Sequence, residues 1–161
     1  LDVHRIEAPG TLDGGDVLKV DRTAYVGVGG RTTLDAVNQL DTVLSPRGWI
    51  VRPVPVRRVL HLKSAVTALP DGTIIGYPDH VDEVASYRRF MAMPEPEGAH
   101  IVLLGGDRLL MSSSAPVSAD RLTTMGYRPV QVDISEFEKL EGCVTCLSVR
   151  IRQPAIDVPE F

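Results

Sequence analysis

The motif LDGGDVL at residues 12–18 returns as LLGGDRL at residues 103–109, and this repetition decides the fold. Each copy precedes a hairpin pattern of short apolar runs, which is followed by a stretch with helical periodicity. Strand–strand–helix–strand units of this kind cannot cover their own apolar faces, so they pack against one another around an axis or in a row. The sequence therefore predicts an α/β protein built of repeats.

The predicted repeats divide the chain into three units, at about residues 11–57, 58–104 and 105–153, with an irregular tail at 154–161. The chain has 161 residues, a length that suits a single domain. The predicted elements of the first unit are strands 17–20, 24–28 and 49–56 and a helix from 33 to 44. Those of the second are strands 61–69, 73–76 and 99–104 and a helix over 81–90. Those of the third are strands 108–111, 128–134 and 144–151, a helix over 117–125 and a short helical piece at 135–140.

Composition narrows the class of function. A net charge of −4 and a pI near 5.5 give no basic footprint for nucleic acid or an anionic membrane. No apolar run reaches the roughly 20 residues that cross a bilayer, and the first residues do not match a signal peptide. The two cysteines, Cys143 and Cys146, lie too close in sequence to be a useful structural staple. We therefore expect a cytoplasmic protein with free thiols.

The cysteines and histidines bear on the chemistry. If residues 144–151 form a strand, Cys143 and Cys146 point to opposite faces, which argues against a redox pair or a zinc site. The four histidines show no paired spacing for a metal. One interpretation is that both cysteines are small buried hydrophobic residues with no chemical role. The other is that Cys146 is a nucleophile activated by His61, with Asp13 orienting the imidazole.

Two further features lie near the first strands. The glycines of the triplet at residues 14–16 lack the pattern of a nucleotide-binding loop, so we expect a turn with positive φ in which Asp16 caps backbone amides or helps to order the turn. Arg31 follows two glycines at a junction between a strand and a helix. It is either a solvated surface residue or a residue that binds a carboxylate through two parallel hydrogen bonds.

Three segments together resemble the dimethylarginine dimethylaminohydrolases of the guanidine-modifying, or pentein, superfamily. They are residues 11–18, 60–64 and 137–149, whose order and spacing fit the C-terminal part of these proteins. The resemblance implies an α/β-propeller of five ββαβ repeats, of which about three are present here. It also implies that Cys146 is the nucleophile, His61 the acid/base and Asp13 the carboxylate that orients it. Arg31 would hold the substrate carboxylate, and Leu140 and Glu141 would be further substrate contacts.

The resemblance further implies hydrolysis of Nω-methylated L-arginine to L-citrulline without a metal or an organic cofactor. Two alternatives stay open: a relative that deiminates arginine or agmatine, and a module that binds arginine derivatives without turnover. The N-terminal part of the family, with its guanidinium-binding acids, has no counterpart in this sequence. We therefore expect a small-molecule partner, no nucleic acid or membrane, and either self-association or pairing with that missing segment.

Overall fold

The computed structural model describes residues 3–149, and within this range the chain forms three sheets of one topology. Each sheet has three strands; the first two pair antiparallel, and the third runs parallel to the second. The first sheet contains β1 (Val17–Val20), β2 (Thr23–Val28) and β3 (Ile50–Pro55), and the second contains β4 (Val66–Ala68), β5 (Ile74–Gly76) and β6 (Phe90–Ala92). The third contains β7 (Val102–Gly105), β8 (Arg108–Ser112) and β9 (Arg128–Val132). The α/β architecture of the sequence analysis is confirmed.

Helices provide the parallel crossovers in the first and third sheets. Helix α1 (Leu34–Leu44) joins β2 to β3, and α2 (Pro116–Thr124) joins β8 to β9. Thr33 caps α1 because its hydroxyl accepts a hydrogen bond from the Ala36 amide. A short helix, α3 (Ser135–Glu138), follows β9. In residues 3–149 no helix combines the length and apolar character needed to cross a membrane.

Two apolar clusters hold the three sheets together. The first joins sheets one and two, and its fully covered members include Leu62, Val66 and Ile74. The second joins sheets two and three around Leu109 and Met111. The middle sheet thus supplies side chains to both clusters, so burial of apolar area couples neighbouring sheets, as repeat packing requires.

The predicted helix over residues 81–90 is wrong. This segment contains two single 3-10 turns, Pro78–His80 and Val84–Ser86, and leads directly into β6. Its buried apolar residues, Val81 and Tyr87, are six positions apart and would lie on different faces of a helix. An irregular path lets both of them reach the first cluster.

The predicted strand at 99–104 belongs to another sheet than expected. Residues Val102–Gly105 form β7, which pairs with β8, so the third sheet begins before Gly105. The two copies of the Gly-Gly-Asp motif consequently have different structures. Gly105 ends β7 with a φ of 103°, and Gly106, with a φ of 57°, and Asp107 form the hairpin turn before β8, whereas Gly14–Asp16 is a 3-10 turn that precedes β1.

The predicted strand at 144–151 is also wrong within the described residues. From Cys143 the backbone forms a helical turn, in which the Cys143 carbonyl accepts hydrogen bonds from the amides of Cys146 and Leu147. Val144 is buried against Val102 and Ile134. The turn satisfies its own backbone groups, which an unpaired strand cannot do. The predicted tail at 154–161 lies outside the described residues.

Candidate active site

Asp13 and His61 meet beside the turn that precedes β1. The Asp13 Oδ1 atom accepts a hydrogen bond from the Gly15 amide at 2.9 Å, and its Oδ2 atom lies 3.1 Å from Nε2 of His61. The two atoms are close, although their geometry is not that of a well-directed hydrogen bond. The His61 side chain is 15% exposed and that of Asp13 is 38% exposed. The carboxylate can therefore orient the imidazole while one face of the pair remains open to solvent.

The surroundings of Asp13 favour its ionised form. The Gly15 amide, and after it the contact with His61, holds the pKa of this carboxyl below its usual value of 3.8. Arg31 contributes as a more distant positive charge. Arg31 is exposed, and its position near Asp13 suits a side chain that meets the carboxylate of a ligand.

We expect this pKa shift to appear in acid denaturation. Because the pKa of Asp13 is lower in the folded state, the stabilisation it provides is present above pH 3.8 and is lost as the pH falls through the folded-state pKa. Titration of the Asp13 side-chain carbon by nuclear magnetic resonance should give a midpoint below 3.8. Asp13→Asn should remove this contribution from the acid limb. A midpoint at or above the usual value would contradict the geometry.

A buried carboxylate, Asp16, joins the parts of this site. It is 2% exposed, and its Oδ1 atom accepts a hydrogen bond from the Leu62 amide at 2.9 Å. Its Oδ2 atom accepts one from the Thr32 hydroxyl at 2.7 Å, and that hydroxyl in turn accepts one from the Asp13 amide. Asp16 thus caps one backbone amide, that of Leu62, and helps to order the turn through Thr32. The role of Thr32 was missed, because a threonine beside Arg31 gives no signal in the sequence.

The imidazole of His61 packs directly on Gly15. A Cβ atom at this position would lie 2.6 Å from Cγ of His61, which is closer than carbon atoms can pack. Neither Gly14 nor Gly15 has a positive φ, so the expected reason for glycine is wrong at this turn. Gly15 is required because a histidine ring occupies the space that a side chain would fill.

Cys143 and Cys146 lie together on the turn that replaces the predicted last strand. Cys143 is buried and Cys146 is exposed, and their sulfur atoms are 3.2 Å apart. The expectation that they point to opposite faces is therefore wrong, because it required an extended backbone. Within residues 3–149 the Cys146 thiol makes no hydrogen bond with His61; its hydrogen-bonding neighbour is Cys143.

The segment leading to Cys146 is anchored to the third sheet. The carboxylate of Glu138, at the end of α3, accepts hydrogen bonds from the hydroxyls of Ser112 and Ser114 at 2.5 and 2.7 Å. Leu140 is 86% exposed, and Glu141 is exposed with a φ of 59°. Both side chains project outward next to the cysteine turn. Glu138 was missed because its serine partners are distant in the sequence.

A cleft of about 530 Å³ opens between the three sheets. It is lined by β1, by residues of β4 and β7, and by Lys63, Thr145 and Ser148. Lys63 is two residues from His61, and Thr145 directly precedes Cys146. The described lining does not include Asp13, His61 or Cys146, so the cleft is next to the candidate site residues in sequence but is not formed by them. In residues 3–149 no three His, Cys, Asp or Glu side chains are placed to hold a metal ion.

Known proteins match the chain over almost its whole length. It is 60% identical over 151 residues to the N(G),N(G)-dimethylarginine dimethylaminohydrolase of Streptomyces coelicolor, a match that covers 94% of the chain and 58% of the relative. The corresponding enzyme of Pseudomonas aeruginosa is 31% identical, with 92% and 59% covered. The chain therefore spans somewhat more than half the length of these curated relatives. No protein-family model matches the chain.

A solved structure matches the fold. A cysteine-to-serine mutant of dimethylarginine dimethylaminohydrolase from Pseudomonas aeruginosa, in complex with citrulline, superposes with a TM-score of 0.81 at 29% identity. The match covers 91% of this chain and 58% of that one. The arrangement of the three sheets is thus shared with this dimethylarginine dimethylaminohydrolase.

Proposed function

Because the chain belongs to the dimethylarginine dimethylaminohydrolase family of the pentein superfamily, we propose that it carries the reacting residues of a methylarginine hydrolase. The products would be L-citrulline and methylamine or dimethylamine. The observation that carries the proposal is the Asp13–His61 contact of 3.1 Å, a carboxylate and imidazole pair in a partly exposed position. The names of the relatives and the citrulline complex of a structural neighbour support the same reaction.

The proposed reaction has two steps. The Cys146 thiolate attacks the guanidinium carbon to form a C–S bond, and His61 protonates the departing amine as the C–N bond breaks. Water then gives a proton to His61 and attacks the carbon of the covalent thiouronium; the C–S bond breaks to return the Cys146 thiolate, and the remaining hydroxyl proton is lost to solvent or to the released amine as citrulline forms. Asp13 keeps the imidazole in one orientation and stabilises its protonated form. The two steps need no metal and no organic cofactor.

The remaining site residues have proposed binding roles. Arg31 would pair with the α-carboxylate of the substrate, and Leu140 and Glu141 would contact its side chain. Cys146 must move towards His61 for the reaction, because its sulfur now lies against Cys143. We propose that contact with further protein, either the part of the relatives that this chain does not match or a second copy, brings the two halves together. The exposed Leu147 beside Cys146 would pack in that contact.

The proposal includes the setting and the chain organisation. We propose a small-molecule partner and a cytoplasmic location, with no nucleic-acid or membrane partner, in keeping with the net charge of −4. We also propose that the chain is one domain of three repeat units, with the second boundary placed before β7 rather than at Gly105.

Covalent labelling tests this function. A chloromethyl amidine, which resembles a guanidinium group and carries a leaving group, should label Cys146 in preference to Cys143, and dimethylarginine should suppress the labelling. Both cysteines lie on the tryptic peptide of residues 140–150, so fragmentation spectra must assign the adduct. The expectation rests on a guanidinium-binding site beside an exposed thiol.

Three variants complete this test. Cys146→Ser should lose the adduct, and Arg31→Ala should weaken protection by dimethylarginine. Arg52→Ala, which removes another exposed arginine, should behave as wild type. Equal labelling of both cysteines, or of neither, would contradict the proposal. Stronger protection by arginine than by dimethylarginine would favour a deiminase instead.

A further inference from the structure

The two cysteines form a close pair that the proposed reaction does not use. Their sulfur atoms are 3.2 Å apart, although one thiol is 2% exposed and the other faces solvent. The turn fixes this proximity, because the Cys143 carbonyl accepts hydrogen bonds from the amides of Cys146 and Leu147 at 3.0 and 3.2 Å. The proximity therefore follows from the backbone and not from a chance rotamer alone.

The separation is close to that of a disulfide. A sulfur–sulfur bond is about 2.05 Å long, so the two atoms need to approach by roughly 1 Å. Rotation of the Cys146 side chain can supply this movement, since this residue is exposed. A bond across two intervening residues closes a very short loop, so it would add little stability to the fold. A chemical role fits this pair better than a structural one.

We propose that Cys143 is a resolving thiol, which converts Cys146 to an intramolecular disulfide after a hydroperoxide has oxidised Cys146. The exposed sulfur is the one that a hydroperoxide can reach, and the buried sulfur is the one placed to attack it. The site would take hydrogen peroxide or a small organic hydroperoxide.

The two steps balance as follows. The Cys146 thiolate attacks the outer oxygen of the hydroperoxide; the O–O bond breaks, the sulfur becomes a sulfenic acid, and the peroxide leaves as water or an alcohol after taking a proton. The Cys143 sulfur then attacks the Cys146 sulfur; the S–S bond forms, the S–O bond breaks, and hydroxide leaves with the Cys143 proton as water. The hydroperoxide is reduced by two electrons, and the two thiols together are oxidised by two.

The surroundings of Cys143 fit this division of roles. Burial raises the pKa of the Cys143 thiol, so this sulfur keeps its proton and does not compete with Cys146 for oxidant. The Thr145 hydroxyl lies 3.0 Å from Cys143 Sγ and can hold the thiol hydrogen until the second step. Oxidation would accordingly begin at Cys146 and end at Cys143.

The pair has a consequence for activity that rests on the proposed function. A disulfide removes the proposed nucleophile from the reaction reversibly, and it stops oxidation before the irreversible sulfinic acid. Thiol reductants would return the enzyme to its active form. The disulfide itself follows from the sulfur geometry and does not require that Cys146 be a nucleophile.

Peptide mass spectrometry of the peroxide-treated chain tests the proposal. After brief treatment with hydrogen peroxide, alkylation and digestion with trypsin, the peptide of residues 140–150 should be lighter by two hydrogens and should take up no alkylating reagent until it is reduced. In Cys143→Ser and in Cys143→Ala, dimedone should trap about tenfold more sulfenic acid at Cys146 than in wild type, because no resolving thiol is present. Cys146→Ser should form no disulfide.

Two outcomes would overturn the proposal: equal dimedone trapping in the presence and absence of Cys143, or linkage of Cys146 only to a second molecule. The mass of the wild-type peptide distinguishes an internal disulfide from its absence even if the Cys143 variants fold poorly. A disulfide in a chain whose Cys146 shows no guanidinium-directed labelling would leave the redox pair standing and reject the hydrolase function.

Discussion

Replacement of Asp16 by alanine should lower the free energy of unfolding by about 3 kcal/mol. The carboxylate is buried and accepts hydrogen bonds from the Thr32 hydroxyl and the Leu62 amide. Its loss leaves the Leu62 amide buried without an acceptor. The Thr32 hydroxyl, which accepts a hydrogen bond from the Asp13 amide, also loses its own acceptor. Urea denaturation followed by circular dichroism measures the change.

Two variants sharpen this experiment. Asp120→Ala removes an exposed aspartate from helix α2 and should change stability by no more than about 0.5 kcal/mol. Asp16→Asn keeps an oxygen for the Leu62 amide but cannot accept through both side-chain atoms, so its stability should fall between wild type and Asp16→Ala. Equal midpoints for Asp16→Ala and Asp120→Ala would show that Asp16 does not join the two segments.

Replacement of Gly15 by alanine should reduce the rate of Cys146 labelling by the amidine probe about 100-fold, if the proposed site operates. The new methyl group would lie 2.6 Å from Cγ and 2.7 Å from Cδ2 of His61, so the imidazole must move away from Asp13. A displaced imidazole can no longer assist the attack of the Cys146 thiolate on the probe. Labelling rates measured by mass spectrometry over a time course report the loss directly.

The neighbouring glycine is a matched control for this change. No atom lies within 4 Å of a Cβ placed on Gly14, and its φ is not positive, so Gly14→Ala should label as wild type does. It can even gain a little stability, because alanine restricts the unfolded chain more than glycine does. Similar labelling by the two variants would mean that the position of His61 is not important for Cys146.

The fold could be predicted from the sequence where local signals agree with tertiary packing. The hairpin of β1 and β2 and the helix capped by Thr33 have turn residues and apolar periodicity that point the same way. The segment between β5 and β6 failed because spacing alone cannot show that Val81 and Tyr87 enter one cluster from an irregular backbone. The segment after Gly142 failed for a related reason: its short run rich in apolar and β-branched residues is typical of a strand, yet no strand of the described residues pairs with it.

The candidate site could be predicted in part. Asp13 and His61 are 48 positions apart; residue types suggested both as one of two interpretations, and the resemblance to a family gave them definite roles. Their meeting depends on Asp16, whose carboxylate reaches Leu62 across the interface of the first two sheets. Thr32 and Glu138 could not have been found, because a serine or threonine is a common surface residue until its partner is known. The cysteine pair was misjudged because its geometry depends on the turn.

Glu138 accepts hydrogen bonds from Ser112 and Ser114, so the cysteine turn and the Asp13–His61 pair are attached to different parts of the fold. Asp13 and His61 are fixed where the first two sheets meet, whereas the cysteine turn is tied to the end of β8 in the third sheet. Local unfolding of the turn can therefore occur while the aspartate–histidine pair stays intact. If the proposed function holds, the acid/base pair and the thiol belong to two parts of the fold that can open separately, and reaction requires both to be folded at the same time.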